Sequence, residues 1–389
     1  MAPRWWACTA NRDAEVATAN PYHYGTPVSG DQFAGRQTEL SALENRMRDG
    51  INVVLSSPRR YGKTSLLTKA TDDLLAEGSA VISVNVLACR DLPTFASRLA
   101  NGAYAVRGGR WHKLKQAVGD FASRLRVSPT VTFDNDSPRF TFSASLAAED
   151  ADAVIEDVYG LLGELAAKQP AVIVLDEFQA ISGLGEHLPA LLKALADENP
   201  NVSLVIAGSK QHLMEQLTLD RGAPLYGLAE RLSLDVLPET VMSDYLRERA
   251  KVGGKAMSVA AAERIIALAG PVPNDIQRLA YEAWGQAGRS VTADDVDMAM
   301  ASAVEHEASQ YSELYGRLSP GQRRVISTLA GRPVKEPYAS EFARSVGLAT
   351  GTSVRRALDA LIADELVTRR QGHYQVFDPF FAAWLKQTL

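Results

Sequence analysis

Cysteine is nearly absent from this 389-residue chain: Cys8 and Cys89 are the only two. Two distant cysteines build neither a disulfide framework nor a metal ligand set, and a reducing cytoplasm fits their scarcity. The six histidines are scattered. His112 and His187 have no second ligand at metal spacing, so both read as surface residues. No apolar run approaches the ~20 residues that span a bilayer, which excludes a helical membrane protein. The start, Met1-Ala2-Pro3-Arg4-Trp5-Trp6, lacks the apolar stretch of a secretory signal. What remains is ordinary globular composition, 46% hydrophobic and 22% charged, with enough length for two or three domains. The net charge of −5 is uneven. Ser319 to Leu389 holds ten Lys/Arg against six Asp/Glu, a balance of +4 that leaves −9 elsewhere. A basic tail on an acidic body permits a nucleic-acid partner without establishing one.

One run carries more chemistry than any other: Ser56-Ser57-Pro58-Arg59-Arg60-Tyr61-Gly62-Lys63-Thr64-Ser65. An apolar stretch, Ile51 to Leu55, leads in, and a helical pattern (Leu66, Leu67, Ala70, Leu74, Leu75) leads out. That is the strand–loop–helix setting of a phosphate-binding loop. Loop N–H groups and the positive end of the helix are expected to hold nucleotide phosphates, with Lys63 on the β- and γ-phosphates and Thr64 on Mg²⁺. Ser57 stands where such loops usually carry their first glycine; serine resists positive φ, which would strain or slightly reshape the loop entry, and with the rest of the signature intact the replacement reads as tolerated.

Ala171-Val172-Ile173-Val174-Leu175 reads as a buried parallel strand and ends in Asp176-Glu177. Asp176 is placed to support Mg²⁺ and Glu177 to orient and deprotonate a water. Enzymes that hand phosphate to a small acceptor usually lack the second carboxylate, so the pair points to ATP hydrolysis.

These motifs resemble the STAND-clade P-loop ATPases of the archaeal-ATPase type, relatives of AAA+ proteins, over nearly the whole chain. Asn20-Pro21-Tyr22, Gly25, and Phe33-Ala34-Gly35-Arg36 with Glu39-Leu40 look like the N-terminal signature, which in that family lies near the adenine. Pro58 to Leu66 is similar to the family's phosphate loop, and Asp176-Glu177-Phe178-Gln179 to its acidic motif. Val202 to Ser209 looks like the sensor strand, with Ser209 at its polar tip. Pro224-Leu225-Tyr226-Gly227 matches too, but Leu228 replaces the usual arginine, and Arg231 is the nearest substitute. Gly270-Pro271-Val272-Pro273 sits where the family has a lid motif whose proline packs on the base. The resemblance implies an α/β fold: a P-loop parallel sheet of the AAA+-like class, a helical lid, and ATP with Mg²⁺ as ligands. Arg59, Arg60 and Arg221 are the candidates for an arginine finger.

Along the chain, residues 1–30 read as irregular and 31–237 as the ATPase core. Strands are expected near 51–56, 80–86, 171–175, 202–207 and 231–236, with the phosphate-loop strand central. Residues 88–150 form an excursion with helices over 92–105 and 111–125. Its alternating segments, 127–133 and 139–145, are joined as a hairpin by Asn135-Asp136-Ser137-Pro138. It reads as a decoration of the core, or else a partner surface. Residues 238–318 read as an all-helical lid.

The segment 319–389 reads helix, helix, helix, then two strands around Gln371-Gly372, and looks like a winged helix. A DNA-reading version puts the third helix in the major groove and the wing on phosphate, which singles out Arg355 and Arg356 on the helix and Arg369 and Arg370 on the wing. Docking on protein fits the same pattern. The leading expectation is an ATP-hydrolysing switch coupled to the winged helix. The alternatives are an ATP-licensed regulator or replication-type initiator that binds double-stranded DNA, and a scaffold for a partner effector protein.

Overall fold

The computed structural model describes residues 19–28, 30–108, 130–134, 137–141 and 148–388. Trp5-Trp6, Cys8 and the helix expected over 111–125 lie outside them. The chain divides into two compact units: residues 25–241 with 272–274, and residues 1–24, 242–271 and 275–389.

The first unit is a three-layer α/β/α domain. In chain order its elements are α1 (Gln37–Arg48), β1 (Val53–Ser56), α2 (Lys63–Glu77), β2 (Ala80–Asn85), α3 (Leu92–Gly108), β3 (Thr130–Asp134), β4 (Ser137–Thr141), α4 (Ala151–Ala166), β5 (Ala171–Asp176), α5 (Leu188–Glu198), β6 (Val202–Gly208), α6 (Gln211–Thr218) and β7 (Glu230–Ser233). Five strands pair in parallel in the order β2-β5-β6-β1-β7. The middle strand is therefore β6, and β1 lies between it and the edge strand β7. Side chains alternate across the sheet. Val53, Leu55, Val172, Val174, Val205 and Ala207 face α1 and α2. Ile82, Ile173, Leu175, Leu204 and Ile206 face the layer of α3, α4 and α5. Runs such as Ala171–Leu175 are apolar at every position because both faces are covered. β3 and β4 pair antiparallel with Asp134 opposite Ser137. The hairpin is thus real, and Ser137-Pro138 belong to its strand rather than its turn.

The second unit begins with a helical bundle: α7 (Glu239–Val252), β8 (Ala256–Met257), α8 (Val259–Ala269), α9 (Pro273–Gln286), β9 (Ser290–Val291) and α10 (Ala293–Arg317). α7 starts in the first unit and joins the second at Met242, and α9 does so at Asp275. Asn20-Pro21-Tyr22 packs on this bundle. Tyr22 is fully buried and its hydroxyl donates to the Leu246 carbonyl at 2.5 Å. The segment fits because Gly253 has no side chain: a Cβ there would lie 2.7 Å from the Pro21 ring.

The winged helix follows as α11 (Pro320–Gly331), α12 (Ser340–Ser345), α13 (Gly351–Ala363), β10 (Val367–Arg370), β11 (His373–Val376) and α14 (Pro379–Thr388). Ser319 and Gln322 close a capping box at the start of α11. Arg370 pairs directly with His373, so Gln371-Gly372 is a two-residue turn, and both residues have positive φ (+48° and +80°) as that turn requires. Val334 bridges to Tyr374 as a third, minimal strand. The sequence reading has no counterpart for α14. That helix packs on α10: Tyr311 lies 5.3 Å from Phe381 and 6.2 Å from Trp384, and Tyr315 lies 5.9 Å from Trp384 (ring centroids). Arg278 of α9 adds a weld. It pairs with Glu307 of α10 at 2.7 Å and stacks 3.9 Å over the Phe380 ring.

Candidate nucleotide site

Three strands end at one edge of the sheet, and each delivers a polar tip. β1 runs into Ser57 and the phosphate loop, β5 ends in Asp176-Glu177, and β6 ends in Gly208-Ser209. Adjacent parallel strands with the loop–helix junction beside them form the crevice where open α/β sheets hold ligands. Gly62 caps α2 with φ +84°, a conformation that costs an L side chain roughly 1–2 kcal/mol. Ser57 is fully buried and has no positive φ; within the loop only Arg60 (+68°) and Gly62 adopt it. Ser57 thus carries no left-handed strain, in line with its being tolerated, and the positive-φ bend falls two residues ahead of Gly62 at Arg60. Pro58 is half-buried, Arg59 and Arg60 are exposed, and Tyr61 is buried.

The acidic tip and the loop meet. Lys63 Nζ lies 3.4 Å from Asp176 Oδ1 and 3.3 Å from Glu177 Oε1, with its side chain buried. The Thr64 hydroxyl donates to Asp176 Oδ2 at 2.9 Å. Ser209 Oγ donates to Glu177 Oε2 at 3.0 Å, and Gln179 Nε2 donates to the same oxygen at 2.5 Å. Burial pushes the Glu177 carboxyl up, but the Gln179 hydrogen bond, the Lys63 ammonium and the Ser209 hydroxyl outweigh it and hold the group below the usual carboxylate range. A hydroxyl and a carboxylate oxygen converging at 2.9 Å are hard oxygen donors of the kind Mg²⁺ takes, so Thr64 and Asp176 fit that ion. The Lys63 ammonium sits between the two carboxylates of Asp176 and Glu177 and is a cation of the kind that can bind phosphate oxygens. The residues that carry hydrolysis in the sequence reading (Lys63, Thr64, Asp176, Glu177, Ser209) thus form one hydrogen-bonded cluster.

Other expected site residues have different neighbours. Arg36 is 4% exposed and bonds the Asp235 carbonyl (2.5 Å), the Tyr61 carbonyl (3.4 Å) and Glu39 (2.7 Å), so it ties the phosphate loop to the chain beyond β7. Gly35 has φ +71° and packs so tightly that a Cβ would lie 2.8 Å from Val241. Phe33 is half-buried against the α1/α2 core face. Ser65 Oγ accepts from the Val28 N–H at 3.0 Å. Pro273 opens α9 within the first unit, where Asn274 accepts from the Gly25 N–H at 2.8 Å. Arg231 lies mid-strand in β7 and pairs with Glu215. Arg221 is exposed.

The second constellation is on the winged helix. Arg355 and Arg356 are exposed on α13, opposite the buried Val354, Leu358 and Leu361. Arg355 lies 5.1 Å over the Tyr338 ring and Arg369 lies 5.5 Å over Tyr374, and those two rings meet edge to face at 6.1 Å. Arg370 departs from the expectation. Its guanidinium lies 6.0 Å from the Phe377 ring and 3.8 Å from where a side chain on Gly270 would begin, so it turns into the bundle rather than outward.

Residues 33–279 match the family described as an ATPase domain predominantly from Archaea. The chain belongs to that family. Residues 309–387 of this archaeal-type ATPase match a probable winged helix domain. Among solved structures, a Walker-type ATPase of Pyrococcus abyssi shares the fold at TM-score 0.60 and 17% identity, over 91% of this chain and 96% of the other. The ORC2 protein of Aeropyrum pernix, in complexes with ADPNP and ADP, shares it at TM-score 0.52 and 16% identity, over 91% and 95%. No curated protein matches the chain. Sequence reasoning gave no role to Gln179 or Arg278. A polar residue two positions after Glu177 was the available signal for the first. The second leaves none, because its partners come from two distant helices.

Proposed function

We propose that the chain is an ATP-hydrolysing molecular switch whose nucleotide state is passed to the unit carrying its winged helix. The observation that carries this is the cluster at the strand tips, where Lys63, Thr64, Asp176, Glu177 and Ser209 lie within 3.4 Å of one another along a chain of contacts. Lys63 and the loop N–H groups bind the phosphates, and Glu177 orients the attacking water and takes its proton. Thr64 and Asp176 would hold Mg²⁺, which would supply neutralisation of phosphate charge. Residues 238–318 act as the lid, and the run Pro58 to Leu66 favours a place in the STAND clade. The protein acts in the cytoplasm in this reading.

The test is phosphate release from ATP with and without duplex DNA, against a Glu177→Gln protein. Glu177-dependent turnover supports the switch, and stimulation by DNA identifies the ligand it reads. ATP binding with no turnover in any condition sinks hydrolysis by the isolated chain.

A second reading is an ATP-licensed DNA-binding regulator or replication-type initiator with little turnover. The outward pair Arg355 and Arg369, each seated on a tyrosine, favours it, since exposed arginine next to aromatic rings suits phosphate and groove contacts. Gel shifts on the wild-type and Lys63→Ala proteins discriminate: no DNA affinity in any nucleotide state removes it, and leaves the winged helix as a docking module for a protein partner.

A further inference from the structure

Three side-chain donors converge on the Glu177 carboxylate. Its Oε2 accepts from both Gln179 and Ser209, while Oε1 faces Lys63. Its backbone is left-handed (φ +52°), and its own N–H is taken by Asp176 Oδ1 at 2.8 Å. Such a conformation costs a non-glycine residue about 1 kcal/mol or more and persists only where neighbours over-determine it. Gln179 stands on the short 3₁₀ helix Phe178–Gly183, anchored by the buried Phe178 and Ile181. From there its amide crosses the tip of β6. A Cβ on Gly208 would lie 2.7 Å from Gln179 Oε1 and 2.3 Å from Met214 Sδ, so the amide occupies space that only a glycine at 208 leaves open.

The three donors have different prospects once a nucleotide is bound. In the ATPase reading Lys63 binds phosphate and Ser209 stands at the sensor tip, whereas Gln179 is given no phosphate to bind and its place in the cluster is its bond to Glu177. We infer that Gln179 is the positioning residue of the hydrolytic step: its amide pins Oε2 of Glu177 so that Oε1 is aimed at the attacking water. In that step the water oxygen bonds to the γ-phosphorus, the bond from that phosphorus to the β-γ bridging oxygen breaks, ADP leaves, and the water proton passes to Glu177 Oε1. The inference rests on the ATPase reading and names a residue that the reading does not use.

The test replaces Gln179 by methionine, which keeps length and loses the donor, and separately makes Gly208→Ala, which pushes on the amide from another strand. Each variant is expected to lower kcat roughly 10- to 100-fold, the scale of a misdirected catalytic group. The Kd for a fluorescent ATP analogue is expected to stay within about threefold, which also reports that the site is folded. Gln179→Met added to Glu177→Gln is expected to cost nothing further, because the two act as one unit. Wild-type kcat in Gln179→Met, or a full additional loss in the double variant, would overturn the inference while leaving the ATPase reading intact. Absence of Glu177-dependent turnover in the wild type would overturn both.

Discussion

Replacing Arg278 by alanine should loosen the winged helix from the bundle. Arg278 is mostly buried and makes two contacts that join α9 to α10 and α14: the 2.7 Å pair with Glu307 and the stack on Phe380. Burial disfavours its charge, but Glu307 outweighs burial and holds the guanidinium above its ordinary range. The stack is worth about 1 kcal/mol in a half-desolvated setting. A hydrogen bond between charged groups contributes about 1.5–3 kcal/mol. Glu307 keeps some solvent and the Tyr311 hydroxyl, so removing its partner strands it only in part. The sum is about 2.5–4 kcal/mol. Urea unfolding followed by tryptophan fluorescence reads this directly, because Trp384 packs in the same cluster. With a slope of about 2 kcal/mol per molar urea the midpoint should fall by about 1–2 M. A shift below about 0.3 M would refute the weld, as would a double variant with Glu307→Ala that loses the sum of the two single losses.

Further outcomes follow from the same contacts. Gly253→Ala sets a methyl against the Pro21 ring and should cost about 1–3 kcal/mol, seen as a lower Tm with Tyr22 freed from the Leu246 carbonyl. Ser319→Ala removes a capping box and should destabilise the winged helix by about 1 kcal/mol, with little effect on ATP turnover. If DNA is bound, Arg355→Ala and Arg369→Ala should each reduce the salt slope of binding by about 1, whereas Arg370→Ala should lower stability and leave the slope alone. In a FRET experiment, dyes on the sheet domain and on the winged helix should change distance between ATP and ADP, and dyes on α8 and the winged helix should not.

The sheet was legible because its signals are local. Buried parallel strands are apolar throughout, the phosphate loop has a fixed spacing, and a two-residue turn with glycine at its second position names its own hairpin. The convergence of Lys63, Asp176 and Ser209 follows from where three such strands end. What escaped depends on partners. Phe380, Phe381, Trp384 and Leu385 follow Asp378-Pro379, a helix start by any capping rule, yet a short aromatic tail after two strands reads equally as a third strand. Arg370 looks the same as Arg369 until Gly270 is known to lie beside it. Arg36 reads as a ligand residue, and only the position of the Asp235 and Tyr61 carbonyls shows it to be a tether. The ladder of Ala256-Met257 with Ser290-Val291 is too short for any period to show.

The interleaving of the two units limits how this protein can be cut or inherited. The backbone passes from one unit to the other after residues 24, 241, 271 and 274. No single stretch of gene therefore encodes the winged-helix unit in full. A recombination event that swapped the region after residue 318 would deliver a winged helix without the α9–α10 surface on which α14 packs. The sheet domain and the winged-helix unit are therefore exchanged, duplicated or lost only as a pair.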